Sequence, residues 1–494
     1  MTTAAPKPFV TRLAGQSALL TSGLALSQLF ALGRNSVLGY LLSKGDFGIA
    51  ASMTLALQVL EIASDTAADR LIIQDRDGDN ACVVNAAHAI LFMRGILMAV
   101  VLYAGAPAIA RLFHVDFAEH TFRLLAIVPV IKSLVHLDSK RLQRHYKNRA
   151  TVLIEVIPQA LSFILAYPVA KVYGGYSAVV WLAIVQATIA TMVSHYTAER
   201  PWGFETDRDT LVRFLKFGWP VLLTALPMIA INQFDRIVIG RYFGMEDLAA
   251  YTAAFMITAA PGTVLVKVGS SMMLPLLAEF QDNQRRFTLR FSFLAEAAVL
   301  AACLYFAVFC IAGGAIVHLA FGKNYAGLEV LTAVLASAWA VRILALASGQ
   351  ALMAKGDTKS GLVAVTIRAL SLYLTLYAAF SGYGLLGIAA SGIAGDALSI
   401  AYLTWRTETT GRGHAALLAQ RSLLLLPVAL ASSLTAEAVA GRPVLAVFAL
   451  LLLTASIAAA AIAMLPGLRA AFTANQPLIR SKVSAFRAAL AVTE

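Results

Sequence analysis

Long apolar runs separated by short polar connections follow one another along the whole chain. Each run has about 20 residues, the length that a helix needs to cross the roughly 30 Å hydrocarbon core of a bilayer. The pattern predicts about fourteen transmembrane helices, in groups of six, six and two. The first six runs lie near 13–33, 47–69, 83–107, 120–138, 151–170 and 177–197. The next six lie near 214–234, 248–270, 291–312, 327–348, 361–381 and 384–404, and the last two near 421–439 and 444–465.

One short stretch occurs twice and indicates that the two groups of six are copies of each other. Asp235–Tyr251 matches Arg34–Ala50 at an offset of 201 positions, which places Gly240 on Gly39. An offset that contains an even number of spans gives both copies the same orientation, as in bundles built from parallel repeats. We therefore predict an all-α polytopic membrane protein with two pseudo-symmetric six-helix lobes around a central cavity, plus two C-terminal helices.

The polar connections set the predicted boundaries between these parts. The division is 1–198 for the first lobe, 199–213 for a cytoplasmic connector, 214–406 for the second lobe, 407–468 for the last two helices and 469–494 for a cytoplasmic tail.

Composition and charge support the membrane interpretation. Apolar residues make up 59% of the chain and charged residues 13%, against about 45–50% and about 25% in soluble chains. The net charge of +12 does not indicate nucleic-acid binding, because the basic residues lie mostly in alternate connections. Roughly 25 basic residues fall on the side of the N-terminus and about seven on the other, which by the positive-inside rule predicts that both termini are cytoplasmic.

Polar residues inside predicted spans are the candidates for chemistry, since they are unfavourable in hydrocarbon and normally face a bundle interior or a wet cavity. Several cations could line such a cavity and bind a phosphate or pyrophosphate group, for which guanidinium groups are well suited. Arg94 lies off the polar side of its own helix. The predicted substrate-binding residues are Arg34, Lys267, Arg342, Arg368, Arg94, Gln16 and Ser27.

Intramembrane acids form a second candidate set, for coupling to an ion or proton gradient. They are Glu61, Asp65, Glu155, Glu296 and Asp396. The alternative for both sets is structural: a cation pairs with an acid, for example Lys267 with Glu61 or Asp65, or extends to the membrane interface. His88 could equally be a hydrogen-bonding residue between helices or a coupling group.

Catalytic signatures are lacking in the sequence. It contains no P-loop, GxSxG, HExxH or dinucleotide-binding turn, so we predict no enzymatic activity, no cofactor and no metal site. A membrane polymerase or ligase would need a long outer loop, which the short connections do not provide. A non-transporting scaffold would have no reason to carry charged residues within spans of both halves.

Three stretches carry a resemblance to a known family. They are LLSKGDFG at Leu41–Gly48, DSKRLQRHYKNR at Asp138–Arg149, and LVRFLKFGWPVLLTALP with DRIVIGRYFG within Leu211–Gly244. The chain resembles the polysaccharide transporter (repeat-unit flippase) branch of the multidrug/oligosaccharidyl-lipid/polysaccharide flippase superfamily, over essentially residues 10–465.

This resemblance implies a cavity that opens alternately to each side of the bacterial inner membrane. It implies a cargo similar to an undecaprenyl-pyrophosphate-linked oligosaccharide, an ion gradient as driving force, contact with membrane lipid, and a polymerase and chain-length regulator of the same pathway as partners. A cation-coupled drug or metabolite antiporter of the same fold is the alternative, and it would favour a cavity dominated by acids. The glycan and the coupling ion stay open.

Overall fold

A computed structural model of the protein describes residues 9–205, 207–438 and 443–469. In this part of the chain the regular structure is helical, with no strand. The first helices are α1 (Phe9–Leu41), α2 (Lys44–Ala63), α3 (Ala68–Gln74), α4 (Ala81–Leu112), α5 (Glu119–Leu125), α6 (Ile127–Ser133), α7 (Asp138–Arg144), α8 (Arg149–Tyr173) and α9 (Ser177–Tyr196). The others are α10 (Arg208–Tyr242), α11 (Met245–Ala278), α12 (Gln284–Phe321), α13 (Glu329–Ala354), α14 (Lys359–Ala369), α15 (Ser371–Phe380), α16 (Gly384–Arg406), α17 (His414–Ser422), α18 (Leu425–Ala438) and α19 (Pro443–Met464).

Many of these helices are long and apolar enough to cross a bilayer. Among the described residues there are 11 such helices, or up to 13 if each of two bent pairs counts as one span. The bent pairs are Asp116–Ser133 with Asp138–Arg144, at 49°, and Arg208–Leu223 with Pro227–Tyr242, at 47°. All thirteen coincide with predicted runs, so the predicted fold class is confirmed. The count of fourteen is not, because α1, which contains the first run, is not among these helices.

The chain divides into two compact units. The first comprises Met1–Ala260, Val317–Ala326 and Leu372–Ile388, and the second Pro261–Ile316, Gly327–Ser371 and Ala389–Glu494. The predicted lobe boundaries and central cavity stay predictions. The predicted cytoplasmic tail lies outside the described residues from 470 onward.

The repeated motif forms the same structure twice within the first unit. Each copy ends one long helix, turns, and begins the next, at α1–α2 and at α10–α11. An added Cβ on Gly39 would lie 2.5 Å from Cδ1 of Phe321, and one on Gly240 would lie 2.7 Å from Cε1 of Phe113. The matched glycines therefore have the same role, since each lets a phenylalanine ring pack directly on the helix backbone.

Two apolar clusters hold the rest of the first unit together. One includes Leu102 of α4 and Phe122 of α5, both fully buried, together with residues of α2 and α9. The other joins α3 and α4 to Phe214 near the start of α10. Burial of such large side chains contributes about 1.5–3 kcal/mol each in water, whereas within lipid the close packing itself provides most of the stabilisation.

The second unit is held to its C-terminal helices by a buried acid on α12. The Glu296 side chain is fully buried. Its Oε2 accepts a hydrogen bond from the backbone N–H of Leu468 at 3.0 Å, and its Oε1 lies 3.6 Å from Nη2 of Arg421 on α17. Nη1 of Arg421 in turn donates to the carbonyl oxygen of Met464 at 3.3 Å. These contacts connect α12 to α17 and to the end of α19.

Candidate functional site

The second unit contains a carboxylate held between two arginines. Oδ2 of Asp396 accepts a hydrogen bond from Nε of Arg342 at 2.8 Å, and its Oδ1 pairs with Nε of Arg368 at 2.6 Å. The Asp396 side chain is 3% exposed, whereas the two arginine side chains are 25% and 22% exposed. The structure thus joins two predicted cargo-binding residues and one predicted coupling residue into a single cluster, the Arg–Asp–Arg cluster.

The cluster lies close to the middle of three candidate spans. Arg342 is near the centre of α13, Arg368 near the centre of Lys359–Phe380, and Asp396 near the centre of Gly384–Thr409. A site at this depth lies where substrate sites of membrane transporters with internal repeats are generally found.

A helix break and a glycine bring α16, which carries Asp396, into contact with the segment that carries Arg368. The span that carries Arg368 is interrupted, because α14 ends at Ala369 and α15 begins at Ser371. On α16, an added Cβ on Gly395 would lie 2.6 Å from Cβ of Ser371 and 2.9 Å from the carbonyl oxygen of Arg368. Glycine at this position therefore lets α16 approach the α14–α15 junction closely enough for the next residue, Asp396, to reach Arg368.

An aromatic ring fixes the other arginine. Cζ of Arg342 lies 4.8 Å from the centre of the Trp339 ring, a cation–π distance. The same indole packs on α11, where an added Cβ on Gly262 would lie 2.5 Å from its Cδ2. Trp339 is therefore held in place by α11 and supports the guanidinium group of Arg342.

The cluster carries one excess positive charge, because two guanidinium groups face one carboxylate. Each of these two ion pairs uses an arginine Nε, and in the part of the chain that the structure describes the Nη atoms of Arg342 have no hydrogen-bond partner. A guanidinium presents five N–H donors in a planar fork that matches phosphate and carboxylate oxygens. The arrangement can therefore bind an additional anion through Arg342 without first breaking its bond to Asp396.

Arg34 is held by amides. Its Nη1 donates to Oε1 of Gln186 at 2.5 Å and its Nη2 to Oδ1 of Asn35 at 3.5 Å. Among the described residues no carboxylate pairs with it. Ser27, on the same helix, is buried and donates to the backbone carbonyl of Glu155 on α8 at 3.4 Å, so it joins two helices. The side chain of Gln16, the other predicted binding residue on α1, lies outside the described part of the structure.

The remaining predicted cations differ in their surroundings. Lys267 on α11 is exposed, and within the described residues it makes no hydrogen bond or ion pair. Arg94 of α4 instead caps the C-terminal end of α2: its Nη2 donates to the carbonyl oxygen of Glu61 at 2.7 Å and its Nε to Oγ of Ser64 at 3.0 Å. A cation at this end of a helix compensates the unpaired carbonyl groups and the helix dipole.

Two predicted coupling acids form ion pairs near the same end of α2. Oε1 of Glu61 lies 2.6 Å from Nζ of Lys132, and Oδ2 of Asp65 lies 2.8 Å from Nη2 of Arg70. Oδ1 of Asp65 also accepts a hydrogen bond from the backbone N–H of Ala67 at 2.9 Å. The carboxylate of Glu155 is exposed, with no side-chain partner in the described part of the chain. The coupling role of these acids and of Glu296 stays a prediction.

Comparison with known proteins places these features in a family. A family model described as "Polysaccharide biosynthesis protein" matches residues 37–332. The chain belongs to this family. Membership in the polysaccharide biosynthesis protein family confirms the resemblance predicted from the sequence, and the helices suit a multi-pass membrane protein.

Two curated relatives have similar sequences, at low identity. The chain is 24% identical over 312 residues to the teichuronic acid biosynthesis protein TuaB of Bacillus subtilis (strain 168), covering 60% of this chain and 62% of the relative. It is 22% identical over 303 residues to the succinoglycan biosynthesis transport protein ExoT of Rhizobium meliloti (strain 1021), covering 59% and 58%. The matches thus span about three fifths of the relatives' own length.

Solved structures establish the fold. The lipid II flippase MurJ, in an inward closed conformation, superposes with a TM-score of 0.72 at 12% identity, covering 93% of this chain and 99% of MurJ. A multidrug resistance MATE family transporter in an inward-facing conformation gives a TM-score of 0.63 at 15% identity, covering 79% and 95%. At sequence identities this low, the likeness shows a shared fold and nothing further.

Sequence reasoning missed one intramembrane cation of this family member. Arg236 is not among the predicted binding residues, but it lies within α10, where its Nη2 donates to Oε1 of Gln233 at 2.6 Å and its Cζ lies 4.7 Å from the centre of the Phe255 ring. Like Arg34, it pairs with no carboxylate among the described residues. The internal repeat could have identified it, since Arg236 falls on Asn35, next to Arg34, at the offset of 201.

Proposed function

We propose that this protein is a flippase that moves a lipid-linked oligosaccharide repeat unit across the bacterial inner membrane. The cargo is an undecaprenyl-pyrophosphate-linked oligosaccharide that is used for lipopolysaccharide, capsule or exopolysaccharide synthesis. The observation that carries the proposal is the Arg–Asp–Arg cluster, which has an excess positive charge at mid-span and, on Arg342, guanidinium donors that have no partner among the described residues. A pyrophosphate group fits such a fork better than a neutral or cationic solute does.

Further support comes from the proteins that this chain resembles. One relative is named as a succinoglycan transport protein and another as a teichuronic acid biosynthesis protein, and MurJ shares the fold. We propose that two six-helix lobes enclose a cavity open to one side of the membrane at a time, and that the termini face the cytoplasm. An ion gradient drives the cycle, and the protein itself breaks no covalent bond. A polymerase and a chain-length regulator act on the same cargo.

Arg34 and Lys267 are the other cations we assign to the cargo. Among the described residues, Arg34 has only amide partners and Lys267 has no partner. In that part of the chain, therefore, no carboxylate neutralises either charge. Unlike Arg94, which binds the end of α2, both remain available to phosphate oxygens. Ser27 and Gln16, which lie on the same helix as Arg34, are assigned hydrogen bonds to the cargo.

Deletion of the gene followed by complementation tests the proposal. Without the protein, a lipid-linked oligosaccharide accumulates on the cytoplasmic leaflet, and the wild-type gene clears it. Arg342→Gln is expected to leave most of the accumulated lipid in place, because the fork is lost. Arg285→Gln removes the same charge from an exposed residue of α12 that has no described partner, and is the matched control. Altered dye resistance without lipid accumulation would contradict the proposal and favour an antiporter.

A further inference from the structure

Both oxygens of the Asp396 carboxylate are already occupied in the Arg–Asp–Arg cluster. Each oxygen pairs with the Nε of one arginine, and the carboxylate is almost completely buried. The acid therefore occupies the position of a small anion between two cations. An anionic group of the cargo that binds these arginines therefore lies beside the Asp396 carboxylate, which is a permanent part of the site.

We infer that Asp396 is the resident counter-anion of the empty carrier, and that its negative charge opposes the binding of the cargo's phosphate groups at Arg342 and Arg368. This inference rests on the proposed function, since it concerns the same site. It assigns Asp396 a part in cargo affinity: its charge holds the affinity of the site for a pyrophosphate below that of the two arginines alone.

The charges at mid-span require a resident anion of this kind. Two guanidinium groups taken out of water without a partner are strongly unfavourable. One carboxylate compensates one of the two, so the empty cluster has a single excess charge. A second built-in acid would cancel the attraction for cargo, whereas loss of Asp396 would leave the cluster with two positive charges in a carrier that must change conformation while empty.

The geometry lets the carboxylate and the cargo act on the same guanidinium. Asp396 uses the Nε edge of Arg342, whose Nη atoms have no partner among the described residues. A phosphate bound at those atoms lies within several ångströms of the carboxylate, where like charges repel appreciably in a medium of low dielectric constant. Trp339 supports the guanidinium independently. Arg342 is therefore expected to keep its orientation when the charge of Asp396 is removed.

Binding of inorganic pyrophosphate to the full-length protein in lipid nanodiscs tests this inference. Asp396→Asn keeps the shape of the side chain and removes its charge, so the dissociation constant for pyrophosphate should fall at least fivefold. Asp282→Asn makes the same charge change at an exposed residue with no described side-chain contact, and should leave the constant within twofold of the wild-type value. Arg342→Gln should raise it at least tenfold.

Two outcomes separate this inference from the proposed function. If Arg342→Gln weakens binding but Asp396→Asn leaves it unchanged or weaker, the resident-anion role is wrong and the anion site stands. If Arg342→Gln binds pyrophosphate as the wild type does, the anion site itself is wrong.

A second pair of variants covers the case in which Asp396→Asn does not fold. Arg368→Gln combined with Asp396→Asn leaves Arg342 as the one charged residue of the cluster. This double variant should bind pyrophosphate at least fivefold more tightly than Arg368→Gln alone. Equal binding by these two variants would overturn the inference.

Discussion

Glu296 and Asp396 are both buried carboxylates of the second unit, but their partners give them different roles. Asp396 faces two arginines at mid-span. Glu296 binds one arginine and a backbone N–H at the C-terminal end of the described chain, where its contacts connect helices. An acid that satisfies groups on neighbouring helices acts on stability, because its removal leaves those groups buried without partners.

Replacement of Glu296 should therefore lower stability. In Glu296→Gln the charge of Arg421 loses its buried counter-ion, and we expect a loss of about 1–3 kcal/mol in the free energy of unfolding. The midpoint of thermal unfolding in detergent measures it. Glu279→Gln, at an exposed acid with no described side-chain contact, is the control and should unfold as the wild type does. Equal midpoints for both variants would show that Glu296 has no structural role.

Asp357 gives a pH-dependent prediction outside the spans. Its carboxylate accepts hydrogen bonds from Oγ and the backbone N–H of Ser360 at 2.6 and 3.0 Å, and from Nη2 of Arg406 at 2.9 Å. The bonds from Ser360, followed by the one from Arg406, hold the pKa of this carboxyl below its usual range. A lowered folded-state pKa means that the ionised group stabilises the fold above the unfolded value of about 3.9 and loses this effect as the pH falls through the folded value.

Asp357→Asn should accordingly unfold at a lower temperature than the wild type at pH 7. The difference should shrink as the pH is lowered towards about 3, where the wild-type carboxyl becomes protonated as well. Unfolding midpoints of both proteins across this pH range provide the measurement. A difference that stays constant with pH would mean that the charge of Asp357 does not contribute.

At the scale of helices, the repeated glycines determine how the first unit packs. Gly39→Ala would place a methyl group 2.5 Å from Cδ1 of Phe321, and Gly240→Ala would place one 2.7 Å from Cε1 of Phe113. Each substitution forces a ring to move within a packed core, and overpacking of this kind costs about 1–3 kcal/mol. We expect both variants to unfold at lower temperature. Gly349→Ala in α13, where an added Cβ meets nothing within 4 Å, is the control.

A double-mutant cycle tests the reason for this effect. Phe321→Leu makes room beside Gly39, so Gly39→Ala should cost less in that background than in the wild type, with a coupling of about 0.5 kcal/mol or more. Strictly additive effects would show that the ring is not what restricts this position.

The helices were predictable from the sequence because each span carries its own apolar signal. The break at Leu370 and the 47° bend within α10 were not predicted, although Pro227, where the second segment of the bent pair begins, is a local signal for a kink. The charged candidates within spans were predictable as well, but their partners were not. Asp396 lies 54 positions from Arg342, and nothing local indicates which of several cations it meets. Arg236 was missed because it lies just beyond the predicted apolar run near 214–234, whereas α10 continues to Tyr242.

For the molecule as a whole, the predicted topology can be tested with reporter fusions. Alkaline phosphatase, which is active only outside the cytoplasm, should be active when fused after Gly174 or Gly382 and inactive when fused after Asp209 or Gly411. The reason is that basic residues concentrate in the connections near 199–213 and 406–421. Activity that follows this order in the first half of the chain and inverts in the second would show that the number of spans is wrong.

Translocation by the purified protein tests the central claim most directly. Proteoliposomes that contain an undecaprenyl-pyrophosphate-linked oligosaccharide would be prepared with wild-type protein, with Arg342→Gln/Arg368→Gln, and with the control Arg285→Gln. The account predicts rapid movement of the lipid to the opposite leaflet with the wild type and the control, and at least a tenfold slower rate with the double variant in a folded protein. Movement at the wild-type rate after loss of both arginines would contradict it.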